Sequence, residues 1–456
     1  MDVSLDAIRG CLEGVIPSTI CTAAPDGTPN VTYLSIVNYV DPSHVALSFQ
    51  FFNKSRANVE RNPRAQVLVI DPESIHQYRL DLVFERSELS GPIFDRMHAR
   101  LTAVASMTGM SRVFRLRGAD IYRVVACRQV PPGVVMDGDA EPLSTGADAP
   151  PPPPTLESVS RVTEALSACG DLDALVTAAI QGLRDVMGYE HVVLLLADET
   201  GERLLAVDSG GAGGSGAGAE IAVGEGVWGT AAAQRRPIRI ARLTRDVRYS
   251  NAVRKTVEDS ADASTLETQI PWPGLEQVES LLAVPLALRG ELIGLLGLES
   301  ARSLRFRHED EAAVQVVARH LALMVSALAA PEDAGPRPAA GAGGPAHGRP
   351  VRFRHHADDD SVFIDDRYVI KGLSGRILAR LVGIFVNDGR IDFSNKELRT
   401  DAALRLSTLR DNLETRLLLL RRRLDDRGAP IRLLRTGRGQ LRLQVDGVVD
   451  VTAVGG

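Results

Sequence analysis

The rhythm of apolar and polar positions changes twice along the chain. Up to about residue 134 apolar positions alternate with polar ones. Residues 18–23, 30–37, 44–49 and 64–70 read as strands, and Pro25-Asp26-Gly27-Thr28-Pro29 reads as a turn. Short strands at this spacing, after one short helix, predict a small β-barrel. Residues 87–110 break the alternation and predict an amphipathic helix, with His98 as a packing or surface residue.

From residue 156 the period lengthens to that of a helix, with Val159, Val162, Leu166, Leu172, Leu175, Ile180 and Leu183 on the apolar side. Residues 191–197, an unbroken apolar run after His191, predict a buried strand. Residues 224–230 open a helix, residues 279–299 read as a hairpin about Gly290, and a long last helix runs to about Ala329. A third pattern begins at Val351. It predicts a hairpin about Asp365-Asp366, a helix over 374–386, and a capping box at Ser394 and Glu397 that starts a second helix through about Arg405. A third helix over 408–425 and a hairpin over 431–445 follow. Proline- and glycine-rich stretches at 135–154 and 331–350 read as linkers. The domains are therefore 1–134, 155–330 and 351–446, in line with ~100–200 residues per domain for a chain of 456.

Charge sharpens this division. The chain carries a formal −6, but residues 351–446 hold 20 Lys/Arg against 14 Asp/Glu, a net +6 that leaves −12 for the rest. An acidic body with one basic domain suits a protein that meets nucleic acid through that domain alone. Cys11, Cys21, Cys127 and Cys169 are dispersed, with no C-x-x-C, so the reading is buried free thiols rather than a zinc or disulfide framework. No uninterrupted apolar run approaches the ~18 residues that span a bilayer, and a cytoplasmic protein without membrane contact is expected. No acid, base and nucleophile set names a reaction, and no ligand set names a metal.

The run PDGTPNV, then VALSFQFFNKSRANVERNPRAQVLV, resembles the pyridoxamine 5′-phosphate oxidase-like, flavin-binding split barrels over about residues 10–125. In that family the segment matching Asn53, Lys54, Ser55 and Arg56, with Asn58 in the helix that follows, grips the flavin phosphate. Hydroxyl, guanidinium and backbone N–H groups at a helix start suit a phosphate. The family usually has a lysine after Ser-Arg, where this chain has Ala57. The resemblance implies FMN or a related flavin, with haem as the lesser alternative, and a homodimer.

GEGVWGTAAAQRRPIRI, SLLAVPLALRGELIGLLGLES and FRHEDEAAVQVVARHLALMV resemble a GAF sensory domain. That implies a small-molecule effector, for which Tyr249, Arg254 and Trp272 are the candidate pocket residues, or a spacer that dimerises through its first and last helices. LSGRILARLVGIFVNDGR and LLLLRRRLDDRGAPIRLLRTGRGQLRL resemble the winged-helix domain of OmpR/PhoB-type regulators, with Gln440 where that family usually has tyrosine in the wing. By that resemblance Thr408, Arg410, Asn412 and Arg416 would enter the major groove of double-stranded DNA. Arg435, Arg438 and Arg442 would serve the wing, and Arg421, Arg422 and Arg423 the helix end. Leu406, Leu409, Leu413, Leu417, Leu420 and Leu424 form the core face.

The expected fold is thus a multidomain α+β chain: split β-barrel, GAF α/β sensory domain, winged helix-turn-helix. The expected function is a one-component transcriptional regulator. The alternative is a flavin-dependent oxidoreductase with appended regulatory domains.

Overall fold

The computed structural model describes residues 3–13, 16–34, 36–49, 53–72, 74–107, 115–131, 151–211, 218–243, 275, 277–329, 349–404, 406, 413–437 and 439–454. The chain folds into two compact units. One comprises Met1–Pro153, Gly224–Val284 and Glu299–Ala312; the other comprises Pro154–Val223, Pro285–Leu298 and Ala313–Gly456.

The first domain opens with a 3-10 turn, Asp6–Leu12, and then builds a seven-stranded sheet. Its strands are β1 (Ser18–Ala23), β2 (Pro29–Leu34), β3 (Val37–Asp41), β4 (His44–Phe49), β5 (Arg64–Ile70), β6 (Gln77–Glu88) and β7 (Gly118–Gln129), in the order β2-β1-β5-β6-β7-β4-β3. The stretch expected as one strand over 30–37 is broken after Leu34, and its two parts lie on opposite edges of the sheet. β6 and β7, the two longest strands of this sheet, were not anticipated from the pattern. Their pairing is interrupted by register shifts at Asp81/Leu82 and Phe84/Arg86. Each shift moves the alternation by one residue and hides its period. Helix α1 (Asn53–Arg61) leads into β5, and α2 (Pro92–Met107) is the expected amphipathic helix. Ile20, Val45, Val67 and Leu80 centre the barrel core, while Met97, Leu101 and Ala105 of α2 pack with Ala46 and Ile121. His98 stacks on Phe94 at 5.7 Å, a packing role. Cys11 and Cys127 are buried; Cys21 and Cys169 are only partly so, against the expectation of four buried thiols.

The middle region starts with α3 (Leu156–Ser167) and α4 (Leu172–Gln181), capped by Thr155 and Asp171. The side-chain oxygen of Asp171 accepts the Ala174 N–H at 2.9 Å. Strands β8 (His191–Ala197), β9 (Arg203–Gly210), β10 (Glu220–Ala222), β11 (Ile238–Ile240), β12 (Ser280–Leu288) and β13 (Glu291–Ser300) form a sheet in the order β10-β9-β8-β13-β12-β11. Every residue of β8 is buried, as its unbroken apolar run requires. Helix α5 (Gly226–Gln234) follows β10, and Arg289 and Gly290, both at positive φ, close the β12–β13 turn. Helix α6 (His308–Ala329) is long and apolar enough to cross a membrane by length and composition. Arg319 and His320 interrupt its apolar run, and Val314, Val317, Leu321 and Val325 are buried within the protein.

The C-terminal region begins with β14 (Pro350–His356), β15 (Ser361–Ile364) and β16 (Arg367–Ile370), with Asp365 and Asp366 at positive φ in the expected turn. The domain runs beyond the expected end at 446: β20 (Val448–Val454) pairs in parallel with β14. Helix α7 (Gly372–Asp388) ends at Gly389 in the left-handed conformation. The capping box is half formed. Ser394 Oγ accepts the Glu397 N–H at 3.3 Å, but the Glu397 carboxylate is taken by Arg390. The second helix, α8 (Asn395–Thr400), ends at Asp401, whose backbone is extended, and so stops short of Arg405. Helix α9 (Leu413–Asp426) covers the described part of the third helix. Strands β18 (Ile431–Gly437) and β19 (Gln440–Val445) form the hairpin, joined by β17 (Asp392–Ser394) in the order β17-β19-β18. Leu413, Leu420 and Leu424 are core, with Leu406 and Leu417 packed against them; Leu409 lies outside the described residues.

Candidate functional sites in the barrel and on the arginine helix

The expected phosphate grip falls on the first turn of α1. Lys54 is exposed, Ser55 and Asn58 are buried, and Asn53 opens the helix. The barrel fixes this turn through a polar network that the sequence did not single out. Asn30 donates to Ser55 Oγ at 2.9 Å and to Thr22 Oγ1 at 3.3 Å, and Asn58 donates to the same Thr22 oxygen at 3.1 Å. Asn58 thus tethers the helix to the sheet rather than facing a ligand. Asn30 lies in the PDGTPNV run, so its residue type was visible while its contact to a helix 25 residues on was not.

Arg56 departs further from the expectation. Its guanidinium donates to Asp120 Oδ1 at 2.5 Å, to Glu60 Oε1 at 2.7 Å and to Ser87. It also lies 5.3 and 5.2 Å from the Phe49 and Phe84 ring centres. Asp120 is 6 % exposed and needs a counter-charge, which Arg56 supplies. Two carboxylates already match this arginine. An anion at the α1 start would accordingly be met by Lys54, the Ser55 hydroxyl and the helix N–H groups. These donors fit a phosphomonoester; Arg56 in this arrangement adds no net charge to them.

His44 gathers the other titratable cluster of the barrel. Its Nδ1 lies 2.9 Å from Asp41 Oδ1 and 3.0 Å from Ser43 Oγ, and its Nε2 lies 3.4 Å from Glu85. Burial raises the Asp41 pKa, but the Ser43 N–H and the His44 ring outweigh it and bring this carboxyl down to about 2. Asp41 Oδ1 accepts both the Ser43 N–H at 2.8 Å and the Ser43 hydroxyl at 2.9 Å, so that hydroxyl is spent on its own turn. The cluster is a turn-stabilising one. Among the described residues no three His, Cys, Asp or Glu side chains are grouped to hold a metal.

In the middle domain Tyr249, Arg254 and Trp272 lie outside the described residues, as do Thr408, Arg410, Asn412 and Arg438 in the C-terminal domain. The remaining arginines expected at DNA, Arg423 apart, are engaged with carboxylates. Arg416 makes a bidentate pair with Glu199, at 2.9 and 2.6 Å. Arg422 donates to Asp173 Oδ1 at 3.0 Å, to Thr177 Oγ1 at 2.9 Å and to Asp208. Arg421 lies 2.5 Å from Asp173, and Arg435 lies 3.7 Å from Asp171. Burial raises the Asp173 pKa, yet Arg421 and Arg422 hold it below the usual carboxylate value. Arg442 is a bidentate partner of Asp392 within its own sheet, at 2.7 and 3.0 Å. The Arg423 Nε donates to the Val369 carbonyl at 3.0 Å.

Residues 4–125 match the family model described as pyridoxamine 5′-phosphate oxidase, and residues 171–325 match that of the GAF domain. No curated protein matches the chain. Similar solved structures include an FMN-binding protein from Syntrophomonas wolfei subsp. wolfei, at 17% identity over 28% of this chain and 86% of that one, with a TM-score of 0.25. The GAF domain of an Acinetobacter phosphoenolpyruvate-protein phosphotransferase matches at 17% identity over 38% and 92%, with a TM-score of 0.31. Free methionine-R-sulfoxide reductase from Neisseria meningitidis matches at 20% identity over 38% and 88%, with a TM-score of 0.30. The chain carries a pyridoxamine 5′-phosphate oxidase-like barrel followed by a GAF domain.

Proposed function

We propose that this protein is a one-component transcriptional regulator. The barrel, with FMN or a related flavin at the start of α1, and the GAF domain receive a redox, light or small-molecule signal. The basic C-terminal domain acts on double-stranded DNA as a winged helix, in a homodimer. One observation carries the reading: a domain whose residues 351–446 carry a net +6 and in which three helices are followed by a hairpin whose strand β19 pairs with β17. That element order is the one a winged helix uses, and basic charge confined to one domain of an acidic chain is the electrostatic footprint of a DNA-binding module. The test is selection of bound fragments from a random duplex library by the full-length protein. Enrichment of a two-fold symmetric motif supports the proposal. Failure to retain duplex even at low salt overturns it, because phosphate contacts are strongest there.

The match of residues 4–125 to an oxidase family favours one second reading, a flavin-dependent oxidoreductase regulated by its appended domains. NAD(P)H oxidation that turns over added FMN would select it.

A further inference from the structure

Four of the arginines expected at DNA, Arg416, Arg421, Arg422 and Arg435, are held by acidic residues of the GAF domain. Arg416, Arg421 and Arg422 project from α9 and have side chains 12, 19 and 15 % exposed. Their partners come from three separate places: Asp173 and Thr177 on α4, Glu199 in the turn after β8, and Asp208 on β9. Leu205 of β9 joins the buried apolar cluster formed by Leu413, Leu420 and Leu424 of α9, so the contact has an apolar centre as well as an ionic rim. Thr415 and Leu418, on either side of Arg416 in α9, are 4 % exposed.

The chemistry of this face is that of a phosphate grip. A bidentate guanidinium–carboxylate pair has the geometry and charge of a guanidinium–phosphate pair. We infer that Asp173, Glu199 and Asp208 form a carboxylate decoy that occupies the arginine face of α9, so that docking of the C-terminal domain on the GAF domain and its binding to DNA exclude one another. The inference rests on the proposed DNA binding and adds its control. DNA and the decoy compete for the same three guanidiniums. A signal that shifts the GAF elements α4, β8 or β9 would release the helix. If the docked form outnumbers the undocked one tenfold, DNA affinity falls by about that factor.

The test uses the full-length protein and a random-sequence duplex, with binding read by fluorescence anisotropy at one fixed low salt concentration. The variant Asp173→Asn/Asp208→Asn neutralises the decoy and leaves every arginine in place. The variant Glu157→Gln/Glu202→Gln changes net charge equally at two exposed positions and serves as its control. Amide hydrogen exchange of α9 reports docking independently. The expected result is faster exchange in α9 and DNA binding about tenfold tighter in the decoy variant alone. Faster exchange with unchanged DNA affinity overturns the decoy and leaves DNA binding intact. Equal tightening in both variants also overturns it, as a mere effect of net charge. Unchanged exchange shows that these carboxylates do not hold the helix, and likewise overturns it. Release of α9 with no DNA retained by any variant overturns the proposed function itself.

Discussion

Arg56 turns inward to Asp120, with Nη1 2.5 Å from Oδ1, although its place beside Ser55 at a helix start is where a phosphate would be met. The pair is asymmetric: the Asp120 side chain is 9 % exposed and that of Arg56 23 %. Replacing Arg56 by Ala strands a buried carboxylate and should cost about 2–3 kcal/mol of stability. Asp120→Asn keeps the shape, should cost less, and removes one of the two carboxylates that match Arg56, so FMN should bind more tightly to it than to the parent. Urea midpoints and quenching of FMN fluorescence measure the two effects. Weaker FMN binding by Asp120→Asn would show that the inward arginine is not what limits the site.

Arg239 on β11 lies between two acids, Glu13 and Glu311, with 3.1 Å from its Nε to Glu311. Its side chain is 14 % exposed and those of the acids 14 and 22 %. Arg239→Met would leave two half-buried carboxylates without their shared counter-charge, and a loss of about 2–3 kcal/mol is expected. Thermal unfolding with Glu13→Gln added back as a second change should recover part of it. A loss below about 1 kcal/mol would mean that the network behaves as a surface one.

The Asp41 carboxyl gives a pH dependence of known sign. Its folded value, about 2, lies below the ordinary 3.8. A depressed folded value means that the group adds stability above 3.8 and loses it as pH falls through the interval down to about 2. The stability difference between the parent and Asp41→Asn should therefore be flat at neutral pH and shrink in acid over that interval. A carboxyl resonance titrating at the ordinary value would contradict this.

Thiol reactivity should sort by burial. Cys11 is buried, which raises its pKa, and the neighbouring Asp71 raises it further. Cys127 is also buried, whereas Cys21 and Cys169 are partly exposed. Native alkylation followed by mass spectrometry should label Cys21 and Cys169 first, since thiolate and access both govern the rate. Early labelling of Cys11 would require the first turn of the chain to open.

Gly375 in α7 lies so close to the Asp360 carbonyl oxygen that a Cβ would collide with it. Gly375→Ala should thus destabilise the C-terminal domain by about 1–3 kcal/mol, against the usual gain of alanine over glycine in a helix. Denaturant unfolding decides the sign.

Local chemistry along the chain was enough to determine much of this architecture. The short apolar run after His191 forms a buried strand as read, Asp365-Asp366 forms the tight turn read between apolar neighbours, and the leucines of α9 repeat at helical spacing because one face is core. Such signals depend on neighbours within a few residues. Tertiary structure decided what depends on distant partners. The bulges in β6 and β7 exist only once the two strands pair, and β20 is a strand because β14 lies beside it. Glu397 abandoned its cap for Arg390, and Arg56 abandoned the helix mouth for Asp120. Charge was legible in the sequence, but the partner of each charge was not. A guanidinium pairs with whichever anion the fold brings near, and for Arg416, Arg421 and Arg422 the fold brings carboxylates of the GAF domain.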